Sequence, residues 1–256
     1  MVTAGFDFDH TSIGVEDAAQ WGRWIRRELG GVVITGQEMA DMRYVMFHVG
    51  DAAFGGRLEL IGPGSSESFM TRFLRTRGPG FHHITFMVPD VEEVARAVTE
   101  LGLTVVGVNL HHPPWREVFI APDPIHGVVI QLADSTLEYP PLEALLATPE
   151  RDVTGYPHNA GQINDDWWQP LWTERPLHRA AIRSTSVVST DTEISRKLFG
   201  TILGADMSHT AGSDHFRWPG GCLDVVGGTK AGVARITLTG RPAADFFIGS
   251  AQLRFV

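Results

Sequence analysis

A single cysteine, Cys222, leaves this chain without an intrachain disulfide, so the fold has to be held by its core rather than by covalent staples. No apolar run approaches the roughly 18 residues that a membrane-spanning helix needs. The first ten residues lack the basic-then-apolar order of a secretory signal. These absences together predict a cytoplasmic protein with no membrane partner. An excess of positive charge is also missing: the formal net charge is -9, which argues against nucleic acid and anionic lipid surfaces as main partners. An anionic small molecule stays open, because Arg72, Arg75, Arg77 and Arg116 offer a local source of positive charge. With 256 residues and 43% hydrophobic side chains, there is ample material for a sizeable core.

What the chain does have is a repeat. Asp9-His10-Thr11-Ser12-Ile13-Gly14-Val15-Glu16-Asp17 and His82-His83-Ile84-Thr85-Phe86-Met87-Val88-Pro89-Asp90 share a histidine, a valine and an aspartate at the same offsets. Each run reads as a strand. Each ends at an aspartate suited to cap a helix, with Gln20 or Glu93 placed as in a capping box. Trp21, Trp24, Ile25 and Leu29 give the first helix its apolar spacing, and Val91, Val94, Val98 and Leu101 the second. Gly30-Gly31 and Gly102 are the stop signals.

Strand-like runs follow at 31–35, 43–49 and 57–61, and again at 104–108, 117–120 and 128–132. Each copy therefore reads β-α-β-β-β, and the interval from His10 to Glu59 matches that from His83 to Gln131 to within one residue. A third copy begins near His178, with Ser184 at the histidine position and Asp224 at the Glu59 position. A fourth begins at Arg235-Ile236-Thr237-Leu238, and too few residues follow for a complete unit.

The expected fold is α+β: tandem βαβββ modules pairing into cupped mixed sheets, with a degenerate or truncated pair in the C-terminal half. The expected division is 1–135 for the paired modules with the site and 136–177 for a Pro- and Trp-rich connector. Residues 178–256 then hold the degenerate third and partial fourth modules. Trp167, Trp168 and Trp172 in the connector call for burial.

Paired modules bring the first and last strands of each copy together, and with them His10, Glu59, His83 and Gln131. Two imidazoles, a carboxylate and an amide oxygen suit one divalent ion (Mn, Fe, Co, Ni or Zn) while leaving room for substrate. A glutamate set among Leu58, Leu60 and Ile61 is costly to bury unless a cation or hydrogen bonds compensate it. The competing reading of each residue alone is structural: a strand-start histidine is usually a satisfied core group, and Glu59 alone fits a solvent-facing strand. The register across the repeat favours the metal set. His82 is expected on the opposite face, as a structural or supporting group. His111-His112 before Pro113-Pro114-Trp115 reads as a rim loop, His48 as a packed or exposed strand residue, and Arg72, Arg75 and Arg77 as a solvated helix end.

These residues resemble the vicinal oxygen chelate superfamily of glyoxalase I, extradiol dioxygenases, bleomycin-resistance proteins and methylmalonyl-CoA epimerase. The likeness covers 7–134 well and 178–240 loosely. Asp9-His10, the stretch from Glu59 to Pro63, and Gly80-Phe81-His82-His83-Ile84 are most similar to the epimerase, as is the stretch from Ser68 to Gly80. Two departures matter. Gln131 stands where such enzymes usually carry a glutamate that takes part in proton transfer, while Glu59 occupies the pseudo-symmetric place. Those enzymes also lack a long C-terminal half.

The resemblance implies a metal-dependent isomerase, epimerase or lyase acting beside a carbonyl, with His10, Glu59, His83 and Gln131 on the ion and Glu59 as base. An Fe(II) extradiol-type dioxygenase and a non-catalytic binding protein of the resistance type are the alternatives. The expected partner is a small carbonyl or aromatic compound, and a homodimer is compatible with the C-terminal half.

Overall fold

The computed structural model describes residues 5–51, 53–111, 115–136, 143, 167–172, 174–240 and 244–256. His112, Pro113, Pro114 and most of the expected connector lie outside the described residues. The fold is α+β, with one eight-stranded and one seven-stranded sheet and few helices, as tandem βαβββ modules require.

The first module supplies β1 (Asp7–Gly14), α1 (Ala18–Trp24), β2 (Val32–Glu38), β3 (Met42–Gly50) and β4 (Gly55–Pro63). Helix α2 (Phe69–Arg77) then leads to the second module: β5 (Gly80–Met87), α3 (Val91–Glu100), β6 (Val105–Asn109), β7 (Trp115–Ile120) and β8 (Val129–Ser135). These eight strands run in the order β2-β3-β4-β1-β5-β8-β7-β6, so the two histidine-bearing strands are neighbours. The second sheet holds β9 (Ala180–Ser189), β10 (Asp206–Thr210), β11 (Ser213–Trp218), β12 (Gly221–Gly227), β13 (Gly232–Gly240), β14 (Phe246–Ile248) and β15 (Ala251–Phe255). Its order is β10-β11-β12-β9-β13-β15-β14.

The helix signals act as expected. Asp17 accepts from the Gln20 amide, Asp90 from those of Glu92 and Glu93, and Asp191 from those of Glu193 and Ile194. Gly30, Gly102 and Gly204 sit at positive φ where the helical paths end, a conformation a side chain would strain. One feature was not legible: the first helix turns into a π-helical segment, Ile25–Leu29, and the helical turn Thr192–Ser195 continues as another, Arg196–Ile202. No helix among the described residues is long and apolar enough to cross a membrane.

The chain divides into two compact units, and the divisions fall inside β1 and β5. One comprises Met1–Thr11, His82–Leu137 and Ser184–Ile236; the other Ser12–Phe81, Glu138–Arg183 and Thr237–Val256.

In the first unit, alternation along β5 sends Ile84 and Phe86 into the core and leaves His83 and Thr85 for the opposite face. The same alternation on β8 buries Ile130 and Leu132 in that core. Val91, Val94 and Val98 of α3 join them, with Phe199, Phe216, Leu223 and Val225 from the second sheet and its helical segment. Phe86 lies 5.7 Å from Phe199 and 5.0 Å from Trp218, ring centre to ring centre. Burying five such aromatic and aliphatic side chains contributes on the order of 10 kcal/mol before chain entropy is counted.

In the second unit, β3 pairs antiparallel with β4, and Met46 stands opposite Glu59. Tyr44, Ile61 and Met70 form a small apolar cluster where α2 covers the strand ends. The described part of the connector packs here too. Trp168 and Leu171 are fully buried, and Trp168 lies on Gly36 of β2, where a Cβ would stand 2.8 Å from the indole. Arg26 secures that stretch through bonds to the carbonyls of Leu171 and Glu174.

Candidate metal centre

Alternation is what makes the site. On β1, His10 and Ser12 leave the strand on one face; on β4, Glu59 opposes the fully buried Leu58 and Leu60. On β5 and β8, which run parallel with Thr85 beside Gln131, the polar residues share one face. On β4, β5 and β8 the opposite face is apolar and buried, through Leu58 and Leu60, Ile84 and Phe86, and Ile130 and Leu132.

The ligating atoms of His10, Glu59 and His83 lie within 4.8 Å of one another. The three side chains are nearly withdrawn from water, at 3%, 6% and 6% exposure. His10 Nε2 and His83 Nε2 are 3.4 Å apart. Tetrahedral nitrogen ligands at metal distances of roughly 2.0–2.1 Å stand about 3.3 Å from each other, so this spacing suits a shared ion.

Each ring is also turned the right way. Nδ1 of His10 donates to Asp9 Oδ2 at 2.6 Å, and Nδ1 of His83 meets Nδ1 of His82 at 2.7 Å. With the Nδ1 edges engaged, the Nε2 edges face the centre, which is the usual arrangement around ligating histidines. Ser12 donates its hydroxyl to Glu59 Oε2 at 2.6 Å, so the buried carboxylate has hydrogen-bond support. The donor set therefore fits a divalent ion.

Gln131 joins the same polar face. Its Oε1 accepts from the Thr85 hydroxyl at 2.7 Å, and Thr85 Oγ1 is 3.0 Å from His10 Nε2. The residue that sequence reasoning missed is Glu117 on β7: its Oε2 accepts from Gln131 Nε2 at 2.6 Å and from Trp115 Nε1 at 2.9 Å. A signal existed, since a lone glutamate in Trp-Arg-Glu-Val-Phe-Ile shares its parity with Trp115 and Phe119. The repeat has no counterpart for it, however, and register alone could not find it.

His82, expected on the opposite face, reaches round to His83 and serves as its partner. His48 is buried two positions along β3 from the Glu59 partner Met46, and it bonds the Asp51 carbonyl at 3.1 Å. Burial holds its imidazole below the ordinary value, and Arg57 adds to the effect. Arg72, Arg75 and Arg77 are exposed along α2, a solvated helix end. Arg116 is engaged by Asp134 and Glu92, which removes it from the pool of free cations.

The C-terminal equivalents satisfy each other instead. Ser184 donates to Asp224 Oδ2 at 2.5 Å, and Asp224 Oδ1 pairs with His215 Nδ1 at 2.6 Å. Among the described residues His10, Glu59 and His83 are the one group of three with metal-type spacing.

A Ser–His–Asp arrangement also occurs, with His126 Nε2 3.1 Å from Ser195 Oγ and Nδ1 3.3 Å from Asp123 Oδ2. His126 and Ser195 are both fully buried, and Ser195 spends its proton on Ser189 and the Asp191 carbonyl. No substrate reaches such a serine, so the arrangement is a packing device. Burial pushes Asp123 upward, but bonds from the His126 ring and from the His126 and Ile125 amides outweigh it and hold the carboxyl below its ordinary value.

Residues 9–119 match the family model described as the Glyoxalase/Bleomycin resistance protein/Dioxygenase superfamily. The comparison with curated proteins yields no match. Among solved structures, a methylmalonyl-CoA epimerase in complex with methylmalonyl-CoA and NH4+ is 26% identical. It covers 52% of this chain and 96% of its own, with a TM-score of 0.46. The methylmalonyl-CoA epimerase from Mycobacterium tuberculosis is 25% identical over 56% of this chain and 96% of its own, also at 0.46. A hypothetical protein from Staphylococcus aureus, 11% identical, covers 98% of this chain and 99% of its own at a TM-score of 0.60, a likeness of fold.

Proposed function

We propose that this protein is a divalent-metal-dependent isomerase or epimerase, or a related lyase, acting on a small substrate at the carbon next to a carbonyl. One observation carries the reading: three buried groups of metal-ligand type, His10, Glu59 and His83, with their donor atoms within 4.8 Å and both histidines oriented through Nδ1. The match of residues 9–119 to the superfamily model supports it.

His10, Glu59 and His83 would hold the ion, with the Gln131 oxygen as a fourth donor. When bound, a divalent ion supplies Lewis-acid stabilisation of an enolate or enediolate oxygen. The chain's own residues do the rest. Asp9 and His82 fix the ring orientations. Glu59, supported by Ser12, is the candidate base that takes the proton from carbon. His10, Glu59 and His83 are nearly withdrawn from water, which strengthens the charge interactions among them.

Elemental analysis of native protein and His83→Ala tests the metal, with about one equivalent per chain expected in the first and loss in the second. Proton exchange in D2O, followed by NMR on a panel of 2-hydroxy ketones and acyl thioesters that includes methylmalonyl-CoA, tests the reaction. Glu59→Gln is expected to keep part of the metal and lose exchange. Full activity in that variant would remove Glu59 from the role of base, and absence of metal after reconstitution would leave a binding protein.

A further inference from the structure

We propose that the C-terminal sheet carries a second ligand site, independent of the metal-dependent reading above, which takes a small carboxylate through Ser186 and Arg235. The face that holds it is fixed strand by strand. On β9, Val187 enters the apolar core and the Thr185 and Thr11 hydroxyls bond at 2.6 Å, so Ser184 and Ser186 leave on the opposite side. On β12, Asp224 lies between the core residues Leu223 and Val225 and is in register with Ser186. On β11, His215 adjoins the core residue Phe216 and is in register with Asp224. Ser184, Ser186, His215 and Asp224 therefore share one face, and all four lie in one compact unit.

One group on that face has no partner. Ser186 is 1% exposed, and its hydroxyl oxygen makes no hydrogen bond. Its counterpart in the first module, Ser12, donates to Glu59 at 2.6 Å. The acid in register with Ser186 is an aspartate, one methylene shorter, and it is engaged elsewhere. Its Oδ2 accepts from Ser184 and its Oδ1 pairs with His215 Nδ1. Folded proteins rarely leave a buried hydroxyl unsatisfied, because its lost hydration goes uncompensated. An oxygen from a ligand would compensate it.

The chemistry of that ligand follows from what the face still offers. Asp224 has a donor on each oxygen, so the groups left over are donors themselves, the Ser186 hydroxyl and the Arg235 guanidinium. Arg235 is on β13, the strand beside β9. The repeat aligns Arg235-Ile236-Thr237 with His83-Ile84-Thr85, which sets Arg235 at the place of a candidate ion ligand. Ile236 is fully buried, whereas Arg235 is half-buried and makes no hydrogen bond or ion pair with another described residue.

A fixed positive charge beside a hydroxyl donor selects an oxygen-rich anion over a neutral or cationic compound. The planar guanidinium matches both oxygens of a carboxylate. Ser186 then donates to an oxygen on the adjacent carbon. A short 2-hydroxy or 2-oxo acid supplies both.

Cys222 gives the test a local readout. It is the chain's one cysteine, half-buried, and two residues before Asp224 on the same strand face. Its alkylation by neutral iodoacetamide is followed by intact-mass spectrometry of the metal-loaded protein. L-lactate or pyruvate is expected to slow the reaction, with the neutral amide lactamide at least about tenfold less effective. Arg235→Gln should raise the half-protecting concentration at least about tenfold, and Arg235→Lys, which keeps the charge, should raise it less.

Ser186→Ala should raise it about two- to tenfold. That variant removes an unpaired buried group and is expected to fold at least as stably as the native chain, so its weaker protection reports on the ligand. His83→Ala should leave protection unchanged. No protection at tens of millimolar, or equal protection by lactate and lactamide, would overturn the carboxylate site. Protection lost in His83→Ala but kept in Ser186→Ala and Arg235→Gln would assign the compound to the N-terminal centre and overturn it equally.

Discussion

Replacing Asp9 by asparagine alters its buried hydrogen bond to His10 and separates the metal reading from a structural one. Asp9 Oδ2 accepts from His10 Nδ1 at 2.6 Å, a charge-assisted bond. The two side chains are 11% and 3% exposed, so water cannot substitute for either partner. Asparagine keeps the shape but can also present its NH2 to Nδ1. That reversal moves the ring proton to Nε2, the edge facing His83, where it blocks ligation; the same logic makes an Asp-to-Asn change costly in a Ser–His–Asp triad.

Loss of a carboxylate that orients a ligating histidine typically weakens metal binding about 10–100-fold, or roughly 1.4–2.7 kcal/mol. The stability of the metal-free protein should move less, because the change also removes a buried charge. Competition of Zn2+ between the protein and a chelator measures the affinity, and urea unfolding of the metal-free form measures the stability. Asp17→Asn, at the exposed start of α1, is the control and should leave affinity unchanged. Asp9→Asn binding Zn2+ within about twofold of the native protein would refute the argument that Asp9 sets the donor edge of His10.

Two further outcomes follow from packing and titration. Gly36→Ala would set a Cβ 2.8 Å from the ring of fully buried Trp168; such overpacking costs about 1–3 kcal/mol. A lower urea midpoint with a dimmer or shifted tryptophan emission is expected, and an unchanged midpoint would mean that the connector yields freely. His48 is held below its ordinary value of 6.5 by burial, so as pH falls below that value the unfolded chain takes up the proton first. Its contribution to stability is complete above about pH 6.5 and is lost as pH falls from there through the lower folded value. His48→Gln should flatten that part of the stability–pH curve, and an identical slope in the variant would show that other groups set it.

Much of the architecture was legible because its causes are local. Aspartates 17, 90 and 191 cap helices through their own side chains, and Gly30, Gly102 and Gly204 end them at positive φ. Strand alternation made His83 and Thr85 the polar face of β5, and the repeat made β1 its counterpart. The spacing of His10–Glu59 and His83–Gln131, alike to within one residue, was enough to name the candidate ligands.

What the tertiary structure alone decided concerns groups whose partners are distant in the chain or absent from the repeat. The β7–β8 register joins Glu117 to Gln131, a contact for which the repeat has no counterpart. The Nδ1 contact of His82 with His83 overrides the simple expectation from alternation, because an imidazole is long enough to reach round its own strand. Ser184 and Asp224, equivalent in sequence to a ligand pair, satisfy each other at 2.5 Å. Asp123, His126 and Ser195 have the order of catalytic groups, yet His126 and Ser195 are fully buried. Local patterns dictate which elements form and which face of each is polar. Whether two polar groups then meet an ion, a substrate or only each other depends on strand register and burial, and those are properties of the assembled sheet.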